Sequence, residues 1–469
     1  MDRKEYLDTM EQQIRSRQAG RAVRREMEDH IEEQKATFRA AGMTAEEAET
    51  AAVAEMGDPM EAGAALDLVH RPRVPWGSIA LIVFLSLLGL GVRTVITARL
   101  PGVTVTIGDP LRQLIYLCLG LALMIGVCLI DYSRIGRRAR GCTLMLAVLL
   151  LLGGFVFGVT VNGMAGWVYF MGVSVSINLF WPLFAPLYGG ILYQYRQEGM
   201  KGLGKCVAWM LPGLLVTALC ARMGMALLLL EIDLILLGIA VGKGWFQVVK
   251  KKVLAGIGTG MAVIPVAAAL FTGLFGNEYQ KLRLALLFGQ AEGEMSWPKE
   301  VLWEVLGGSR LVGTSDSLQG QVQEFPAVDY VLTYVTGYFG ILAALALLGL
   351  ILYLIGRLFH ISLGQKNRLG MLMGAGCCVA MLAQIGVYVL CNLGILLPGE
   401  VYCPFITTGG SVMLVTYLMF GLLLSICRYQ DIPLEEENGR SSLTKETGFH
   451  IIKKRTDEGL SADQKKAQE

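Results

Sequence analysis

Asp329 is the last formally charged residue before an apolar run of about thirty residues that opens FPAVDYVLTYVTGYFG. A carboxylate at the mouth of such a run is partly withdrawn from water, which makes it a better proton acceptor for general-base chemistry. The same position also suits an N-cap, with the side chain accepting free backbone N–H groups at the start of a helix. Gly409 and Gly410 in CPFITTGGSV stand at the entrance of another apolar run. A Gly-Gly pair there can turn backbone N–H groups toward an anion, or simply let helices approach closely. Glu231 and Asp233 lie inside a third apolar run. Buried carboxylates suggest a proton relay, but residues two apart on a helix point about 200° away from each other and cannot form one dyad. They are expected to bond polar groups of neighbouring helices or to be protonated.

The elements that must position these groups are membrane helices. Of the 469 residues, 54% are hydrophobic and 17% charged, and the mean hydropathy is +0.52, beyond the usual range of water-soluble domains. Runs of crossing length fall near 76–97, 111–131, 141–161, 177–195, 205–221, 223–241, 253–275, 329–358, 370–397 and 408–427. Lys and Arg gather in alternate connections: Arg71 and Arg73; Arg134, Arg137, Arg138 and Arg140; Arg196, Lys201 and Lys205; Lys243 and Lys250 to Lys252; Arg357, Lys366 and Arg368; and Arg428. That alternation places both termini in the cytoplasm. The opposite connections are short except for one at 276–328, which mixes charge with Leu286, Phe288, Trp297 and Trp303 and should lie on the membrane face.

Residues 1–70 read as three short helices in a water-soluble cytoplasmic domain, with Thr44 and Glu47 forming a capping box and Gly57, Asp58 and Pro59 ending the third. The opening MDRKEYLDTMEQQ lacks the apolar core of a cleaved signal peptide. Residues 431–469 are charged and without apolar periodicity, as disordered tails are. The ten cysteines sit mostly in apolar runs without metal-ligand spacing and read as small buried hydrophobes. A net charge of +2 and no basic run with interleaved aromatics exclude a nucleic-acid partner.

Four segments in order resemble the FtsW/RodA/SpoVE family over residues 75–430. CPFITTGGSV, with Pro404, Thr407, Gly409, Gly410 and Ser411, resembles the family's PFISYGGSS signature before the last span. VNGMAGWVYF, with Asn162, Gly163 and Trp167, resembles its Asn-Gly…Trp motif after the third span, with Ala165 and Gly166 where the family has basic residues. YQKLRLALLFG, with Lys281 and Arg283, and LGGSRLVGT resemble parts of its large outside loop. FPAVDYVLTYVTGYFG places Asp329 at the family's catalytic aspartate. The N-terminal VRREMEDHIEEQ and GMTAEEAETAAVAEMGDP are similar to a prefix domain found ahead of permease-like membrane proteins.

The resemblance implies an all-α fold of about ten transmembrane helices. It also implies an inverting glycosyltransferase that polymerises lipid II, the undecaprenyl-pyrophosphoryl disaccharide peptide, at the outer face of the cytoplasmic membrane during division, elongation or sporulation. Asp329 would be the catalytic base, and Arg283 with Lys281 would neutralise charge on the departing pyrophosphate. Asn162, Gly163, Trp167 and the 404–411 signature would bind substrate. A class B penicillin-binding transpeptidase is the implied partner, beside a cytoplasmic partner for the prefix domain; a divalent metal could assist, although no ligand cluster argues for one. Departures are plain: Leu183 and Phe184 replace a polar pair in the fourth span, and Arg222-Met223-Gly224-Met225 stands for Asp-Leu-Gly-Thr. The acidic and His-Thr residues before Asp329 are gone, and Gly337 and Tyr338 stand where glutamates are common. Gln384 and Pro404 keep the family spacing. Those losses motivate a second reading, a non-catalytic scaffold or lipid-binding regulator, and the intramembrane acids a third, a flippase.

Overall fold

In the computed structural model, residues 1–15, 17–99, 110–161, 164–170, 173–220, 223–288, 297–316, 330–365, 367–396, 401–407 and 409–430 are described. The chain divides into two units, Met1–Val74 with Arg428–Glu469, and Pro75–Cys427.

The first unit has four helices where the sequence suggested three: α1 Arg3–Gln12, α2 Arg17–Ala40, α3 Ala45–Glu55 and α4 Pro59–His70. The residues read as a stop do end α3, with Gly57 at φ 77°, and they also start a helix that the sequence reading missed. The Asp58 side chain accepts the Met60 N–H at 2.8 Å and Pro59 occupies the first helical position, where its missing N–H costs nothing. The expected capping box is present, Glu47 N–H donating to Thr44 Oγ1 and Thr44 N–H to Glu47 Oε2. Tyr6, Leu7, Met10, Ile14, Val23, Ile31 and Val53 form the core, and Tyr429, just past the last span, packs against it. Arg24 pairs with Asp8 and Glu11, and Lys35 with Glu49.

The second unit is a multi-pass membrane protein. Among the described residues nine helices are long and apolar enough to cross a bilayer: α5 Trp76–Arg99, α6 Pro110–Leu129, α8 Ala139–Leu151 with its π-helical continuation to Val156, paired α10 Gly199–Ala208 and α11 Leu211–Cys220, α12 Met223–Gly242, α13 Lys250–Phe275, α17 Ile341–Leu363, α18 Arg368–Asn392 and α19 Gly410–Arg428. A short α7, Tyr132–Arg137, precedes α8. Residues 177–194 add a tenth element of about 30 Å, a 3-10 stretch Ile177–Leu183 holding Pro182 and then α9, Phe184–Gln194. The helix α19 is buried along almost its whole length, from Ser411 to Cys427, whereas no residue of α13 is buried.

Two connections depart from the reading as simple loops. Residues after the third span form an antiparallel sheet in the order β1-β2-β3, Val159–Val161, Met164–Phe170 and Val173–Ser176. The long connection contains α14, Glu278–Leu287, and α15, Trp297–Gly307, followed by an extended stretch that crosses a break in the eighth span. That span is interrupted at Gly340 (φ 98°), between α16, Val331–Phe339, and α17. A helix broken inside a bilayer must have its freed backbone groups taken up by protein. Gly313 and Ser315 N–H donate to the Phe339 and Gly337 carbonyls at 3.1 and 2.7 Å, while Ile341 and Leu342 N–H donate to the Arg310 and Leu311 carbonyls at 3.0 and 3.2 Å. The Gly-rich LGGSRLVGT is therefore a structural insert.

Gly340→Ala will destabilise the full chain by more than the roughly 1–3 kcal/mol of backbone strain, because the added Cβ would also lie 2.6 Å from the Leu311 carbonyl oxygen; thermal unfolding in detergent reads the loss. In the first unit, Glu47 is held below the ordinary glutamate range by its Thr44 hydrogen bonds, and Glu49 by Lys35. Depressed carboxylates stabilise above their unfolded pKa, and that contribution disappears as pH falls through the folded value. Scanning calorimetry carried from about pH 6, above the unfolded glutamate range, to about pH 3, below it, will show the N-terminal transition weakening, less steeply in Glu47→Gln and Glu49→Gln.

Candidate functional site

The signature turn closes on itself before α19 begins. Cys403 carbonyl accepts the N–H groups of Ile406 and Thr407 at 3.3 and 3.1 Å, and Thr407 Oγ1 accepts the Cys403 N–H at 2.9 Å. This knot drives Phe405 to φ 70°, a conformation uncommon for a residue with a Cβ, and its ring stacks on Phe420 with centroids 5.2 Å apart. Pro404 is buried in the same turn. The two glycines do different work. Gly409 sits at φ 122°, a backbone conformation that L side chains rarely adopt, whereas Gly410 starts the helix with its Cα against the Tyr116 ring, where a Cβ would be 3.4 Å away.

Three elements hold this turn. The first is α5, where Gly89 lets the Phe405 carbonyl lie against its backbone and Arg93 reaches across. Arg93 donates from Nε to the Gly89 carbonyl at 3.1 Å and from Nη1 to the Thr407 carbonyl at 3.3 Å. Among the described residues it is the only buried arginine or lysine, at 3% exposure. A small cavity beside it is lined by Ser86, Thr407, Thr416 and Tyr417; the Tyr417 hydroxyl donates to Ser86 Oγ at 2.7 Å. The second is the hairpin, where the Ser176 N–H donates to Ser411 Oγ at 2.7 Å, both groups being buried. The third is α6, which supplies Tyr116.

That hydrogen bond joins two motifs that are far apart in sequence, because Ser176 is the cross-strand partner of the half-buried Trp167. Gly166, standing where a basic residue was expected, has φ 137°, and a Cβ there would be 2.7 Å from Asn178 Cγ. The hairpin has no room for a longer side chain at 166. Asn162 and Gly163 lie outside the described residues.

Asp329 also lies outside the described residues, but the mouth of α16 that follows it is firmly placed. The N-cap position falls on Tyr330, and the first-turn donors are already taken: Leu332 N–H by the Tyr388 hydroxyl at 3.4 Å and Thr333 N–H by Asn392 Oδ1 at 3.1 Å. Two of the N–H groups at the start of α16 are thus met by the ninth span, α18. The helix α16 packs on both α18 and α5. Arg283, partly buried, and Lys281, exposed, stand on α14, which packs on α13, so the structure does not bring them to the signature turn. In α12, Asp233 is 2% exposed and Glu231 is partly exposed, on different faces as the helix period requires. Asp233 Oδ1 and Glu231 Oε1 have no hydrogen-bond partner among the described residues, so of the two expectations it is protonation, rather than bonding of these oxygens to neighbouring helices, that the geometry leaves. No three His, Cys, Asp or Glu side chains among the described residues converge as metal ligands would.

The family model described as cell cycle protein, FtsW/RodA/SpoVE, matches residues 78–432. The chain belongs to this family. Among FtsW/RodA/SpoVE relatives, a protein named probable peptidoglycan glycosyltransferase FtsW from Coxiella burnetii is 27% identical over 382 residues, 76% of this chain and 98% of the relative. One of the same name from Enterococcus hirae is 26% identical over 377 residues, 74% and 91% of the two chains. The same fold appears in a chain of a peptidoglycan synthase complex solved for its coordination of polymerization and crosslinking, with TM-score 0.61 and 19% identity over 76% of this chain and 98% of that one. It appears again in the rod shape determining protein RodA of Thermus thermophilus, with TM-score 0.52 and 20% identity over 76% and 97%.

Sequence reasoning missed Arg93, Ser176, Tyr388 and Asn392. Arg93 alone carried a readable signal, as a lone cation inside an apolar run. Because the hairpin and the signature are joined through one buried bond, Ser411→Ala will leave the Ser176 N–H unsatisfied and lower stability by about 1–3 kcal/mol. Gly166→Lys, which restores the family's basic residue, will cost more than Ser411→Ala; thermal unfolding of the two variants in detergent gives the order.

Proposed function

We propose that this chain is a peptidoglycan glycosyltransferase of the FtsW/RodA/SpoVE type, polymerising lipid II at the outer face of the cytoplasmic membrane with both termini inside the cell. The observation that carries the reading is the convergence at one end of the bundle. There the 403–411 signature, the hairpin of Trp167 and the helix that follows Asp329 are all fastened to α5, α18 or one another. The names of the curated relatives support the same activity.

In this reading Asp329 accepts the proton of the acceptor's sugar hydroxyl as that oxygen attacks the anomeric carbon of the donor sugar. The bond from that carbon to the pyrophosphate oxygen breaks, undecaprenyl pyrophosphate leaves with the electron pair, and configuration inverts. The fixed α16 mouth contributes by holding the base at a set depth, where proximity and orientation lower the barrier. Arg283 and Lys281 meet the developing negative charge from α14. That helix is carried by α13, the span with no buried residue, so closure of α13 and α14 over bound lipid would bring the cations to the site. The partner is a class B penicillin-binding transpeptidase, by analogy with the synthase complex that shares the fold, and a cytoplasmic protein for the first unit.

A specific observation also favours the scaffold reading: the hairpin excludes a side chain at Gly166, so the family's basic contact cannot be made there. The two separate on one experiment. With lipid II in reconstituted membranes, the wild-type chain will form glycan polymer and Asp329→Asn will lower the rate by at least about a hundredfold at equal expression. Lipid II bound but not polymerised by wild type, with a transpeptidase present, selects the scaffold instead.

A further inference from the structure

We propose that Arg93 is a positioning residue of the transferase, a clamp that holds the signature turn in register with the mouth of the eighth span. The proposal rests on the glycosyl-transfer reading for its kinetic consequence and on geometry for its structural one. Arg93 lies within the first span, outside the four segments that resemble the family motifs. Its guanidinium is buried and bridges two backbone carbonyls, Gly89 on its own helix and Thr407 in the turn. Thr407 is the residue whose hydroxyl closes the turn on Cys403, so a pull on its carbonyl fixes the whole knot.

The same helix packs on α16, Tyr417 lines the small cavity beside Arg93, and among the described residues the Tyr388 phenol also lies within electrostatic reach of the guanidinium. Tyr388 in turn accepts the Leu332 N–H at the start of α16. Arg93 therefore stands between the two parts of the candidate site that must keep a fixed distance for in-line attack. A rigid planar fork with several donors suits this bridge, and a lysine ammonium on a flexible stem does not. A buried guanidinium bonded to carbonyls, with no carboxylate bonded to it among the described residues, is also costly to keep, which a purely packing role would not require.

Full-length wild type, Arg93→Met and Arg93→Lys are reconstituted in liposomes with lipid II. Polymerisation kinetics are followed together with alkylation of Cys403 by N-ethylmaleimide, read by peptide mass spectrometry. Cys403 is fully buried in the turn and reports its closure without reference to activity. Arg93→Met is expected to lower kcat about tenfold or more with KM for lipid II within about twofold, and to make Cys403 reactive. Arg93→Lys is expected to fall between. Wild-type kcat in Arg93→Met, or a kcat loss with Cys403 still protected, overturns the clamp. If Arg93→Met does not accumulate, Arg93→Lys decides: wild-type behaviour in both readouts overturns the proposal. A wild-type chain that makes no polymer removes the transferase reading alone, and the Cys403 readout still tests the clamp.

Discussion

Inside a bilayer a backbone N–H or carbonyl that leaves a helix finds no water, and the protein itself must supply its partner. This chain breaks its helices at two places that matter, Gly340 in the eighth span and the Phe405–Gly409 turn before the tenth. The groups that take up the freed hydrogen bonds are the ones that build the candidate site. At Gly340 they are the backbone of residues 310–315; at the turn they are Arg93, Thr407 and, through Ser411, the hairpin.

The consequence is a site held through main-chain groups, by backbone partners at Gly340 and by side-chain partners at the turn. In the signature turn each main-chain group is met by a particular side chain, the Arg93 guanidinium on the Thr407 carbonyl and the Thr407 hydroxyl on the Cys403 N–H, so these few side chains set its shape. Glycines mark the tight points: Gly89 against Phe405, Gly120 against the Tyr417 ring, Gly166 against Asn178. Each is a place where a Cβ would push two elements apart in a bundle packed to crystal-like density. The contrast with α13 is informative. That span has no buried residue and packs on the helix that carries Lys281 and Arg283, so those cations sit on the least buried part of the bundle rather than at the turn.

Much of the architecture was legible in the residues. Apolar run length located the crossings, the Thr44 capping box was read correctly, and the order of the four motif segments pointed to the family that the matching model then showed. The errors have physical causes. Gly57-Asp58-Pro59 ends α3 as read, but Asp58-Pro59 also begins α4, whose weakly periodic sequence folds as a helix where it packs on α1. The eighth span read as continuous because its composition is uniformly apolar across Gly340; the break is a backbone event that hydropathy does not record. The hairpin after the third span was hidden because its short strands lie in an uncharged, largely apolar segment, VTVNGMAGWVYFMGVSVS, that blends into the twenty-residue apolar runs on either side.

What the sequence determined by itself is the set of parts: ten crossings, a helical N-terminal unit, a glycine-paired signature and a carboxylate at an apolar mouth. Hydrophobicity and helical period act locally, so each is written in a short window of residues. What only the tertiary structure decided is which parts touch. Ser176 and Ser411, 235 positions apart, and Arg93 and Thr407, 314 apart, meet because helices pack so as to satisfy the backbone of their neighbours, and no local pattern encodes a neighbour's unpaired carbonyl.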